Sequence, residues 1–223
     1  MSRSTALVVL ALALMAGCTN DPGPSADVAS SPVVATPGAR STSNAPTPDA
    51  AGRAKAAAGD FSGRLRAALT DRMQSAGPVA AVDFCHAQAP LIGEAVMAEH
   101  GVRLGRVAVP GRNRNAGNAP MDWQLEALIG FQAAVDAGAA PAEQVLVQRD
   151  DLPPGVALRM MRGIAVEPGC LACHGRAVGP AVSQAINRHY PGDAATGFDV
   201  GDLRGALWVE VPASLQPDLE KLP

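Results

Sequence analysis

Six residues late in the chain, Cys170-Leu171-Ala172-Cys173-His174-Gly175, restrict what the rest of it can be. The C-x-x-C-H spacing lets two thiols reach one edge of a porphyrin and add to its vinyl groups, while the next residue is delivered under the iron as an imidazole ligand. The expected cofactor is therefore one covalently bound haem c, anchored by Cys170 and Cys173 and ligated by His174. Glu167, Pro168 and Gly169 lead into the motif and Gly175 leads out, so it is expected in a loop. Two other chemistries compete. A redox dithiol wants a βαβ context, which the flanks do not offer. A zinc site using both cysteines, His174 and Cys85 is disfavoured because Cys173 and His174 are adjacent, whereas ligand pairs in structural zinc sites are usually spaced by two or more residues.

The chain has four cysteines, Cys18, Cys85, Cys170 and Cys173. Residues 1–17 read as a lipoprotein signal peptide: Arg3, then the short apolar run Ala6 to Leu14, then Ala16-Gly17 before the cysteine. That run is too short to span a bilayer. Met15-Ala16-Gly17-Cys18 is similar to a bacterial lipobox, so Cys18 is expected to carry lipid and hold the protein on the periplasmic face of a membrane, the outer one being favoured; plain secretory cleavage is the alternative. Residues 18–58, rich in Pro, Ala, Ser and Thr, are expected to be a disordered tether. Residues 59–223 form the expected domain, beginning near Asp60 and carrying only a short polar tail after Pro212. The formal net charge of −3, with no basic cluster, gives no electrostatic case for nucleic acid.

Within the domain, Leu65, Leu69 and Met73 fall four apart and predict a helix ending at Gly77. Pro78 opens a second helix carrying Val82, Phe84 and Cys85, and Pro90 is expected to restart it before His100-Gly101 closes it. Strands are predicted over 102–109, 145–148, 157–166 and 203–211, with helices around Trp123 to Phe131 and over 181–190. Aromatics are only 3% of the chain, so the core must be built from Ala, Val and Leu. Helices first and then strands linked in sequence predict an α+β domain with an antiparallel sheet.

Three patches carry a resemblance to the small exported c-type haem domains with a PAS-like fold, which also serve as sensor portions of bacterial signalling proteins. They are Ala80-Ala81-Val82-Asp83-Phe84-Cys85 with Ala89-Pro90; Arg112-Asn113 with Asn118-Ala119-Pro120 and Trp123; and Cys170 to Gly175 with Tyr190-Pro191, Asp193, Ala195, Gly197-Phe198 and Gly201 to Ala206. Arg114 stands where that family's loop usually has proline. The resemblance implies a four-to-five-stranded sheet, long N-terminal helices and an iron held between His174 and a cysteine sulfur, matched here by Cys85. The residues themselves also point to Cys85, the one thiol without another assignment and a soft ligand for iron. His86, His189, His100, Met160 and Met161 stay open as alternatives; Met160 and Met161 share a strand in which one is expected in the core. Arg112, Arg114 and Arg204 are expected near the haem carboxylates, which guanidinium binds bidentately. The leading expectation is a lipid-anchored haem protein for electron transfer or for redox or gas sensing, passing its signal to a separate protein partner. A haem peroxidase with an open distal position, using His86 or Arg112, is the second.

Overall fold

The computed structural model describes residues 49–213. The signal peptide, Cys18 and the tether as far as residue 48 lie outside the described residues, as does the tail beyond Ala213.

Four strands form one antiparallel sheet: β1 (Arg103–Ala108), β2 (Val145–Gln148), β3 (Val156–Ala165) and β4 (Leu203–Pro212), in the order β1-β4-β3-β2. Both faces of the sheet are covered. On one side Leu158, Met160, Leu207, Val209 and Val211 pack against Ala54, Ala57, Ala58, Phe61 and Val96 of helix α1 (Ala50–His100). On the other, Val107, Met161 and Ala206 pack against Leu128 and Phe131 of helix α2 (Asp122–Asp136). Successive strand residues point to opposite faces, so Met160 and Met161 are both buried. The expectation that one alone would be core assumed a single covered face. The α+β class with an antiparallel sheet is as expected, and its strand limits fall within a residue or so of those predicted.

Helix α1 reverses direction partway. A straight helix rises ~1.5 Å per residue, which would hold two residues 35 apart about 52 Å from each other. Yet Arg64 Nη1 donates to Glu99 Oε1 at 2.8 Å across those 35 residues, and His100 Nε2 lies 3.0 Å from Asp60 Oδ2. The reversal is at Gly77, the one residue inside α1 with non-helical backbone angles (φ 77°, ψ 178°). Glycine reaches positive φ without a steric penalty, and Pro78 then starts the returning arm where its missing N–H costs nothing. The two arms, 50–76 and 78–100, thus form an antiparallel helical hairpin, broken where Gly77-Pro78 predicted the end of one helix and the start of the next. Pro90 does not interrupt the second arm, contrary to expectation: the helical angles run through it.

The start of the domain also needs correcting. Residues 50–58, read from composition as the end of the tether, are the first turns of α1, capped where Asp49 Oδ1 accepts from the Gly52 amide at 2.7 Å. Ala54, Ala57 and Ala58 are at most 2% exposed. Alanine counts little toward hydrophobicity, but it is the best helix former, and its small side chain lets the helix lie close on the sheet.

Candidate functional site

The C-x-x-C-H motif is not a loop, as its glycine and proline flanks suggested. Pro168–Cys170 form one 3-10 turn that runs into a short helix, α3 (Leu171–His174). Pro168 starts that turn with a φ already suited to it. Gly175 ends α3 under a close contact: a Cβ there would sit 2.7 Å from the Leu171 carbonyl oxygen. Glycine is needed for that approach.

The motif is strapped from behind by residues 193–198. The Phe198 amide donates to the His174 carbonyl and the Gly197 amide to the Gly175 carbonyl, both at 3.0 Å. Arg114 ties the same region together, donating from Nη2 to the Cys173 carbonyl at 2.7 Å and pairing through Nε with Asp193 Oδ1 at 3.0 Å. Asp193 in turn accepts from the Ala195 amide at 3.0 Å. Arg114, expected near a carboxylate ligand, is thus engaged by the protein's own carboxylate.

His174 Nδ1 donates to the Ala195 carbonyl at 2.7 Å. That bond fixes the ring's orientation and leaves Nε2 as the free nitrogen, the arrangement that backbone carbonyls give to metal-binding histidines. Burial, then the positive charges of Arg204 and Arg114, push the His174 pKa down to about 3. The imidazole is neutral at any physiological pH, as a metal ligand must be.

A small apolar cluster joins the arm of α1 that carries Cys85 to the motif. Val82, one helical turn before Cys85, packs with Val182, Ala185 and Ile186 of helix α4 (Pro180–His189) and with Cys173. Cys85 and Cys173 lie close enough for a charge on the first to act on the second. Burial pushes the Cys85 thiol up, against the pull of Arg106 and Arg114. Such a thiol stays protonated until a cation takes the proton's place.

The competing histidines are engaged elsewhere. His86 points about 100° around the helix from Cys85; its ring stacks on His189 at 4.3 Å and meets Tyr190 edge-on at 5.5 Å. His189 Nε2 pairs with Asp83 at 2.8 Å, and His100 with Asp60. Met160 and Met161 belong to the two cores flanking the sheet. Of the residues weighed for a second iron ligand, Cys85 is the one whose charge acts on the motif, at Cys173.

Two of the expected arginines frame Phe198, whose ring meets His174 edge-on at 6.5 Å. Arg112 lies 3.4 Å over that ring and donates to the Thr196 carbonyl at 2.6 Å. Arg204 lies 5.0 Å from the ring and donates to the Arg112 carbonyl at 3.2 Å. Arg204 reaches this side through a bulge. Ile164 pairs with Gly205 and Ala165 with Leu203, leaving Arg204 as an extra residue with no partner on β3. Sequence reasoning missed Phe198 as the ring between the arginines.

The donor set fits a haem c. Two free thiols three residues apart sit beside a neutral imidazole with its outer nitrogen open, and a third free thiol, Cys85, stands on α1 near enough for its charge to act on Cys173.

A family model described as Tll0287-like matches residues 38–212. A solved structure titled as the crystal structure of the cyanobacterial heme-protein Tll0287 shares 27% identity and a TM-score of 0.55. That match covers 74% of this chain and 96% of the solved one. No curated protein matches the chain.

Proposed function

Because this chain belongs to the Tll0287-like family, we propose that it is a haem protein carrying one covalently bound haem c. Cys170 and Cys173 would form the thioethers, His174 Nε2 the proximal bond and Cys85 Sγ the distal one. The observation that carries this reading is the His174 Nδ1 bond to Ala195, which presents the opposite nitrogen beside both anchoring thiols. The bound group would supply a one-electron ferric–ferrous couple. The chain's own part is to set it: an anionic sulfur opposite a neutral imidazole favours the ferric form and a low potential.

With both axial positions taken by side chains, the reading that fits best is electron transfer, or sensing of redox state or of a diatomic gas that displaces the sulfur. A peroxidase needs an open distal position with an acid–base group above it; of the two candidates for that role, His86 is stacked against His189 and Arg112 lies over Phe198 and donates to the Thr196 carbonyl. Placement in the periplasm, with Cys18 acylated and residues 19–49 as the tether, follows from the signal-peptide pattern. No helix among the described residues is long and apolar enough to cross a membrane, so attachment would rest on that lipid.

A spectroelectrochemical titration tests the reading. Protein made with a haem-maturation system is expected to cycle reversibly between a six-coordinate ferric and a reduced form at a negative potential. Carbon monoxide or nitric oxide then divides the two uses. A ferrous spectrum unchanged by either gas assigns electron transfer, whereas loss of the sulfur ligand assigns sensing. A five-coordinate ferric resting form that turns over peroxide would contradict both.

A further inference from the structure

Cys173 and His174 are neighbours in the chain, and a closed circuit of hydrogen bonds leaves one and returns to the other. His174 Nδ1 donates to the Ala195 carbonyl at 2.7 Å. The Ala195 amide donates to Asp193 Oδ1 at 3.0 Å. Arg114 grips both oxygens of that carboxylate, with Nε on Oδ1 at 3.0 Å and Nη2 on Oδ2 at 3.1 Å. The same Nη2 donates to the Cys173 carbonyl at 2.7 Å, which closes the circuit.

Little water reaches these groups. The Asp193 and Arg114 side chains are 6% and 13% exposed, and Ala195 is fully buried. Solvent is therefore poorly placed to replace any of the bonds, and each is stronger than it would be at a surface. A carboxylate that accepts from the amide two residues on is a common local turn. Held by that bond alone, it could still rotate; the fork of the Arg114 guanidinium fixes its plane. The ends of the strap have other anchors. The Ala194 amide donates to the Asn113 carbonyl at 3.1 Å, and the Gly197 and Phe198 amides hold Gly175 and His174 at 3.0 Å. What Asp193 adds is the placement of Ala195, and with it the carbonyl that His174 meets.

We propose that Asp193, clamped by Arg114, is a positioning residue for His174: it fixes the orientation of the imidazole and keeps its Nδ1 bond intact, and so sets how strongly Nε2 donates. This rests on the haem reading above and gives a part to a carboxylate outside the ligand set. A histidine whose Nδ1–H is firmly bonded is the more basic ligand. Hydrogen bonding behind the ligands is one of the means by which a protein sets the potential of its iron.

Electron paramagnetic resonance of the ferric holoprotein, together with its midpoint potential, gives the test, since the g values follow the orientation of an axial imidazole. Asp193→Ala is expected to broaden the low-spin signal, because the imidazole loses its single orientation. It is also expected to shift the midpoint potential positive, because a weaker nitrogen donor favours ferric iron less. Asp199→Asn removes a carboxylate just beyond the strap, one that is exposed and paired with Arg176, and is expected to change neither. Asp193→Ala leaves Arg114 buried without its partner, which costs more than removing both charges together. Should it fail to retain haem, Arg114→Leu/Asp193→Ala decides, with the same broadening and positive shift expected. A signal and potential equal to those of the wild type in the variant that retains haem, with only the melting temperature lowered, would overturn the proposal. Wild-type protein without any haem spectrum would instead remove the reading on which it rests.

Discussion

Cys85→Ala is expected to convert a low-spin, six-coordinate ferric spectrum into a high-spin or water-bound one, and to raise the midpoint potential. The thiolate is an anionic donor that stabilises ferric iron more than ferrous iron, so its loss destabilises the oxidised form selectively. Nearby groups are not placed to replace it. His86 is turned toward His189 and Tyr190, and His189 is held by Asp83. His86→Ala is therefore expected to leave the spectrum almost unchanged, although it sits next to Cys85 in sequence. Low-spin iron retained in Cys85→Ala and lost in His86→Ala would transfer the ligand to histidine and leave Cys85 as a packed thiol.

The largest effect on stability is expected at Gly205, where backbone conformation and crowding act together. Its φ of 149° lies where other residues are strained, and a Cβ there would stand 2.0 Å from the Val107 carbonyl oxygen and 2.9 Å from the Ala108 Cα. Both contacts are backbone atoms of the paired strand β1, which cannot turn aside as a side chain could. Gly205→Ala is expected to cost about 3 kcal/mol or more, lowering Tm by about 6–12 °C for a unit of this size. It should also displace Arg204, because the conformation of Gly205 and the bulge beside it aim that side chain at the site. Gly130→Ala in α2, where an added Cβ meets nothing within 4 Å, is the control of opposite sign: a gain of about 0.5–1 kcal/mol from helix propensity. Equal melting of Gly205→Ala and the wild type would contradict the close β1–β4 contact.

The contrast between Cys85 and Phe198 shows how much of the site was legible in sequence. Covalent anchoring imposes a fixed local spacing, so Cys170, Cys173 and His174 announce themselves, and Cys85 emerges as the thiol left over. The strands were legible from their apolar runs, and the break between the two helices from Gly77-Pro78, because turn chemistry is local. Phe198, unlike Cys85, depends on a long-range contact, the strap of residues 193–198 closing behind the motif, which local spacing does not hold. Arg204 was named among the expected arginines, but the bulge that leaves it without a partner on β3 is not written in the strand's apolar run. Arg114 was expected to meet a ligand carboxylate; Asp193 meets it first, 79 residues later in the chain. The start of the domain was missed because alanines 54, 57 and 58 look like tether by composition. They become core once a sheet is laid against them.

Every ligand assignment depends on the two thioethers, and intact-mass spectrometry of the denatured holoprotein measures them directly. The full chain, produced with a haem-maturation system and unfolded in acid and organic solvent, is predicted to keep the mass of one haem. After digestion that mass should stay on the peptide containing Cys170 and Cys173, and Cys170→Ser/Cys173→Ser should lose it. Wild-type protein at its apoprotein mass, or an adduct that persists in the double variant, would contradict the account.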